Sequence, residues 1–138
     1  MKVGVLIVAH DQLGRVLLDT AVGTLGHCPL PVEVLAVTRD MDPDLLVAQG
    51  REMLARLNLG AGVLVLTDMY GSTPGNIACR LQESDDVQVV SGLNLPMLFR
   101  VFNYPTLDLQ GLTEKALSGG SAGVLHCNLM SLGKRNGQ

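Results

Sequence analysis

His10, Asp68 and the run Gly71-Ser72-Thr73 are the residues of this chain whose types could do chemistry together. A histidine that donates one ring N–H to a carboxylate keeps its other nitrogen unprotonated and nucleophilic. A helix N-terminus offers an anion free backbone N–H groups and the positive end of the helix dipole. Nucleophile, orienting carboxylate and anion cradle are the parts needed to accept a phosphoryl group and pass it on. That reaction depends mainly on positioning and charge stabilisation. Taken singly, each residue has a plainer explanation. A strand-end histidine is more often structural, an aspartate in a loop commonly caps a turn, and Gly-Ser-Thr-Pro reads as turn chemistry. Their meeting at one sheet edge would favour function.

The elements that must position them follow from the apolar pattern. Residues 3–10, V-G-V-L-I-V-A-H, form a nearly unbroken apolar run, the pattern of a strand buried on both faces of a parallel sheet. His10 then falls at its carboxyl end, where ligands collect in open α/β sheets. A helix follows, with Asp11 as its cap, Leu13, Val16, Leu17, Ala21 and Leu25 inward, and Gly26 as its stop. Residues 32–37 read as a second strand. Asp42-Pro43-Asp44 then opens a second helix, whose inward residues are Leu45, Leu46, Met53, Leu54 and Leu57. Residues 62–67 are a third strand, ending just before Asp68. Thr73 before Pro74 reads as a cap, so Gly71, Ser72 and Thr73 stand at a helix start. Residues 87–91 form a fourth strand, followed by a short helix at 97–102 and a longer one capped by Thr106 and ending at Gly119-Gly120. Residues 122–127 read as a short fifth strand and 129–138 as a polar tail. Strands alternating with helices predict one doubly wound α/β domain with a mostly parallel sheet, over residues 1–128.

Composition narrows the function classes. The chain has 138 residues, 47% hydrophobic and 17% charged, which suits one globular domain. A net charge of −3 without a basic cluster before the last residues argues against nucleic-acid binding. No apolar run approaches the roughly 20 residues that span a bilayer. The start lacks a signal-peptide pattern, so a cytoplasmic location is expected. Cys28, Cys79 and Cys127 are an odd count without ligand spacing and read as free, mostly buried thiols. No metal site and no bound organic cofactor are expected. His27 reads as a loop histidine and His126 as the end of a strand. Met97, Leu98 and Phe99 read as core cover.

The strand ending in His10, the segment L-T-D-M-Y-G-S-T-P-G-N at 66–76 and the segment S-G-L-N-L-P-M-L at 91–98 follow one another in a known order. In order and spacing they resemble the enzyme IIA component of the mannose-type sugar phosphotransferase system, over residues 1 to about 127. The resemblance implies a phosphorelay. The phosphocarrier HPr would phosphorylate His10 on Nε2, and an enzyme IIB partner would receive the group for a sugar entering through a membrane permease. Asp68 would orient His10, while Gly71, Ser72 and Thr73 would line the phosphate site. It also implies a homodimer that exchanges a C-terminal strand, for which residues 122–127 match; such a strand would lie antiparallel. Sugar-transporting members commonly carry tryptophan-glycine-glycine-serine-proline after the aspartate, where this chain has Met69-Tyr70-Gly71-Ser72-Thr73-Pro74. The enzyme IIB domain that some members carry on the same chain is not expected here. A regulatory output is as compatible with these residues as transport. The phosphotransfer subunit of dihydroxyacetone kinase shares the implied fold.

Other classes compete with that reading. Y-G-S-T-P-G-N at 70–76 closely resembles a flavodoxin phosphate loop, yet it follows the third strand rather than the first. Only Tyr70 and Tyr104 are available to flank a flavin ring. The turn A-H-D-Q-L-G at 9–14 lacks the dinucleotide glycine fingerprint, and no G-x-x-x-x-G-K-[ST] occurs. A docking protein that keeps the fold without transferring phosphate is the remaining alternative.

Overall fold

The computed structural model describes residues 1–128; the expected tail at 129–138 lies outside them. Nine elements alternate along the chain: β1 (Gly4–His10), α1 (Leu13–Leu25), β2 (Val32–Val37), α2 (Pro43–Leu57), β3 (Val63–Thr67), α3 (Thr73–Arg80), β4 (Val87–Ser91), α4 (Leu95–Phe102) and α5 (Leu109–Ala122). The four strands form one sheet in the order β2-β1-β3-β4. Every pairing is parallel. The expected doubly wound α/β fold is therefore the observed one. From β1 the chain moves outward to β2, then returns to the other side of β1 for β3 and β4. The switch point of the sheet thus lies between β1 and β3, where crossovers leave a crevice at the strands' carboxyl ends.

Strand alternation divides the core into two layers. Val5, Ile7, Leu64 and Leu66 face one layer with buried residues of α1, α4 and α5. Leu6, Val8, Val63 and Val65 face the other, with Leu46, Val47, Ile77 and Ala78 of α2 and α3. Leu6, Ile7, Leu64 and Leu66 are fully buried. Each contributes about 1.5–3 kcal/mol by leaving water. This double burial explains why the sequence shows unbroken apolar runs rather than alternation.

Several faces differ from their sequence expectation. In α1 the buried residues are Gly14, Leu18 and Ala21, whereas Leu13 and Val16 are exposed. Gly14 decides this rotation: a Cβ there would stand 2.7 Å from Ile7 Cγ2 and 3.2 Å from Val34 Cγ1. The helix therefore meets the sheet along its glycine. In α2, Leu45 is exposed and Leu46, Val47, Gly50 and Leu57 are buried. Asp108, not Thr106, caps α5, its Oδ1 accepting from the Gly111 N–H at 2.8 Å. Met97 and Leu98 are buried as core cover.

The chain end departs most. A fifth strand was expected at residues 122–127, but α5 runs on through Gly119 and Gly120 to Ala122, and residues 123–128 form no strand. The reason is packing. A Cβ at Gly119 or Gly120 would run into Arg100 or Met97 of α4, so these glycines let the two helices cross closely instead of ending α5. His126 accordingly ends no strand; its Nδ1 lies 3.1 Å from Asn128 Nδ2. The three cysteines are exposed rather than buried. Cys79, for example, lies outside the inward set Pro74, Gly75, Ile77 and Ala78 of α3.

Candidate functional site

The site is built at the carboxyl ends of β1 and β3. His10 is the last residue of β1, and by alternation its side chain shares the face of Leu6 and Val8, towards α2 and α3. Asp11 then adopts a left-handed conformation, φ 49°, and its N–H donates to Val37 O at 3.0 Å. That turn ends the strand. Asp11 does not cap α1: Gln12 holds the cap position, without a side-chain cap bond.

Asp68 follows β3 directly and reaches across the switch point to His10. Its Oδ2 stands 2.7 Å from His10 Nδ1 and accepts from the His10 backbone N–H at 2.9 Å. Its Oδ1 accepts from the Met69 N–H at 2.9 Å. Three donors thus hold a carboxylate whose side chain is only 7% exposed, beside an imidazole that is 45% exposed. With the carboxylate as acceptor, Nδ1 carries the proton. Nε2 then presents a lone pair and has no hydrogen-bond partner among the described residues. The pairing of His10 with Asp68 was legible from the strand order; the second bond, from the backbone of His10, was not.

The loop after Asp68 is shaped for a close approach. Gly71 has φ 82°, a conformation that a side chain would strain. A Cβ on Gly75 would stand 2.5 Å from Met69 O, so only glycine lets α3 begin so near residues 68–72. Ser72, rather than the expected Thr73, is the cap: its Oγ donates to Met69 O at 2.6 Å and accepts from the Gly75 N–H at 3.3 Å. Thr73 and Pro74 are the first two helical residues.

A cavity of about 420 Å³ opens beside His10. Its wall includes Thr38, Arg39, Met41, Pro43 and Thr73. Thr73 therefore shares a cavity with His10, whereas Gly71 and Ser72 do not border it. The first turns of α2 and α3 both reach this wall, through Pro43 and Thr73. Sequence reasoning passed over Thr38, Arg39 and Met41. The available signal was that they follow β2, the other neighbour of β1, at the same sheet edge.

Two further features bear on the chemistry. Thr67, immediately before Asp68, has a buried hydroxyl with no hydrogen-bond partner. A second cleft of similar volume is lined by Asp85, Gln88, Gln110, Thr113 and Glu114, among which there is neither nucleophile nor cation. Among the described residues no three His, Cys, Asp or Glu side chains cluster as metal ligands, and no helix is long and apolar enough to cross a membrane.

Comparisons with known proteins bear on the family and the fold. Residues 4–116 match the family model EIIA-man, described as the PTS system fructose IIA component. The PTS system mannose-specific EIIAB component of Escherichia coli (strain K12) is 30% identical over 99 residues. That match covers 71% of this chain but 30% of the relative's length. The phosphotransferase system component EIIA from Streptococcus agalactiae is 28% identical with a TM-score of 0.74, covering 90% of this chain and 96% of that one. The mannose/sorbose specific IIA subunit from Enterococcus faecalis shares the fold with a TM-score of 0.82 at 23% identity, over 94% of this chain and 97% of that one. With a four-stranded parallel sheet and matches of this extent, the chain belongs to the EIIA-man family of phosphotransferase system IIA components.

Proposed function

We propose that this protein is a phosphohistidine carrier of the phosphoenolpyruvate-dependent sugar phosphotransferase system. In this reading HPr donates a phosphoryl group to His10, and an enzyme IIB partner receives it, for sugar uptake or for regulation. The carrying observation is the 2.7 Å contact between His10 Nδ1 and Asp68 Oδ2. It supports the reading in which Nδ1 carries the proton and Nε2 is the nucleophile.

The Nε2 lone pair forms the new N–P bond while the donor's P–N bond breaks, its electron pair returning to the donor imidazole. The His10 ring keeps its Nδ1 proton and gains positive charge, which the Asp68 carboxylate offsets. Thr73 supplies a hydroxyl at the cavity wall, and the N-terminus of α3 behind Gly71 and Ser72 supplies a favourable dipole. Transfer back out follows the same path in reverse. None of these steps requires a metal or an organic cofactor on this chain.

We further infer a homodimer in the cytoplasm. The outer edge of β4 has no neighbouring strand among the described residues, and Val124 and Leu125 are exposed beyond α5. An unpaired strand edge favours pairing with another chain. Sedimentation of the full chain tests this: a dimer is expected, and a monomer at micromolar concentration would overturn it.

The test of the carrier reading is a phosphotransfer assay with phosphoenolpyruvate, enzyme I and HPr, read by intact mass. One acid-labile, base-stable phosphoryl group is expected, and none in His10→Ala. Normal uptake by His10→Ala would overturn the assignment. No uptake by the native protein with cognate HPr would favour a docking role.

A further inference from the structure

Among the described residues, every lysine and arginine but one is engaged by the rest of the chain. Arg15, Arg51, Arg56 and Arg80 are in ion pairs with Asp19, Glu83, Glu33 and Asp44. Lys2 donates to Pro29 O, Arg100 to Ser118 Oγ, and Lys115 lies over the Tyr104 ring. The exception is Arg39, whose guanidinium has no hydrogen bond, ion pair or ring contact. Among the described residues Arg39 is also the one cation that borders the His10 cavity.

We propose that Arg39 binds the phosphoryl group carried on His10. This rests on the carrier reading above and adds a residue to it. A guanidinium is planar, permanently charged and suited to two-pronged hydrogen bonding of phosphate oxygens. An arginine already paired with a carboxylate would have to break that pair first; Arg39 has none to break. None of its acidic neighbours forms an ion pair with it, the adjacent Asp40 included. Asp42 Oδ1 is occupied by the Asp44 N–H at 2.9 Å, and Asp44 Oδ1 by Arg80 at 3.0 Å. Among the described residues the cavity lining therefore includes one unpaired cation, two threonines (Thr38 and Thr73) and the nucleophile. That set, one guanidinium and two hydroxyls beside the nucleophile, suits a dianionic, tetrahedral group. In transfer, negative charge spreads over the three non-bridging oxygens, where a guanidinium stabilises it best.

The experiment compares the native protein with Arg39→Gln and Arg39→Lys in the HPr-driven assay, measuring initial rates over a range of HPr concentrations. Arg39→Gln is expected to lower the maximal rate at least about tenfold, with the HPr concentration for half-maximal rate unchanged. Arg39→Lys should recover part of the loss, because it keeps the charge without the fork. The ³¹P resonance of the phosphorylated protein should shift in Arg39→Gln. Circular dichroism should be the same in all three, since Arg39 is exposed and makes no contact. Native rates in Arg39→Gln would overturn the proposal, leaving the carrier reading intact. A change confined to the half-maximal HPr concentration would overturn it too, making Arg39 a docking residue. Failure of the native protein to take up phosphate would instead overturn the carrier reading itself.

Discussion

One carboxylate oxygen, Asp68 Oδ2, meets His10 twice: at 2.9 Å from its backbone N–H and at 2.7 Å from its ring Nδ1. The two contacts fix different things. The backbone bond ties the end of β1 to the end of β3 across the sheet's switch point. The ring bond sets which nitrogen carries the proton. A charge-assisted hydrogen bond at such a distance is about twice as strong as a neutral one, and burial of Asp68 protects it from competing water.

Replacing Asp68 by Asn keeps one oxygen, so an amide NH2 must face either the two His10 donors or the Met69 N–H, and it removes the charge that offsets the phosphorylated ring. Asp68→Asn is expected to slow phosphate uptake at least about tenfold while the domain stays folded. Stopped-flow or quenched mass measurement of uptake, beside a denaturation curve, checks both halves. Native-rate transfer would show that the carboxylate's charge is dispensable.

Gly75 allows the loop after Asp68 to lie against α3. A Cβ there would stand 2.5 Å from the Met69 carbonyl, which is backbone and can move only with the loop. Gly75→Ala is expected to lower stability by about 1–3 kcal/mol and to slow uptake as well. Urea denaturation tests the first effect. Unchanged stability would mean that residues 68–72 are not pressed on the helix.

Thr67 buries a hydroxyl that has no partner. Thr67→Val removes that polar atom at nearly constant volume and is expected to raise stability by about 1 kcal/mol. The shift of the urea midpoint reads it directly. A loss of stability would show that the hydroxyl is satisfied by solvent in solution.

The carboxyl of Asp86 lies below its ordinary value of 3.8, first because the Ser84 hydroxyl donates to it and next because the Asn58 amide does. A lowered carboxyl contributes stability above its unfolded value, and that contribution is lost as pH falls through the lowered one. Ser84→Ala should therefore destabilise the protein at neutral pH, and the difference from native should shrink in strong acid. Denaturation curves at pH 7 and near pH 2 compare the two; a pH-independent difference would exclude this linkage.

Much of this architecture could be read before any coordinates. Two unbroken apolar runs, in β1 and β3, dictate central strands buried on both faces, and such strands need parallel pairing with helices above and below; β2 and β4, interrupted by Glu33 and Gln88, are the half-buried edges. His10 and Asp68 stand at strand ends in the sequence itself, so their candidacy followed from local pattern alone. Local pattern could not choose between near-equivalent helix faces. Gly14 set the rotation of α1 through its contact with Ile7 and Val34, a partner choice made 7 and 20 residues away. The same limit explains the chain end. Gly119-Gly120 signals a stop when read locally, yet it is helical because α4 lies close enough to need the missing side chains. Ser72 displaced Thr73 as cap once the Met69 carbonyl was folded into reach. Most consequential for function, the order β2-β1-β3-β4 brought the segment after β2 beside His10. Thirty residues of sequence separate Asp68 from Thr38, and 28 separate His10 from Thr38, so only the crossovers place Arg39 on the wall of the same cavity. Sequence determined which groups can react; the sheet's switch point, a property of strand order, decided which of them meet.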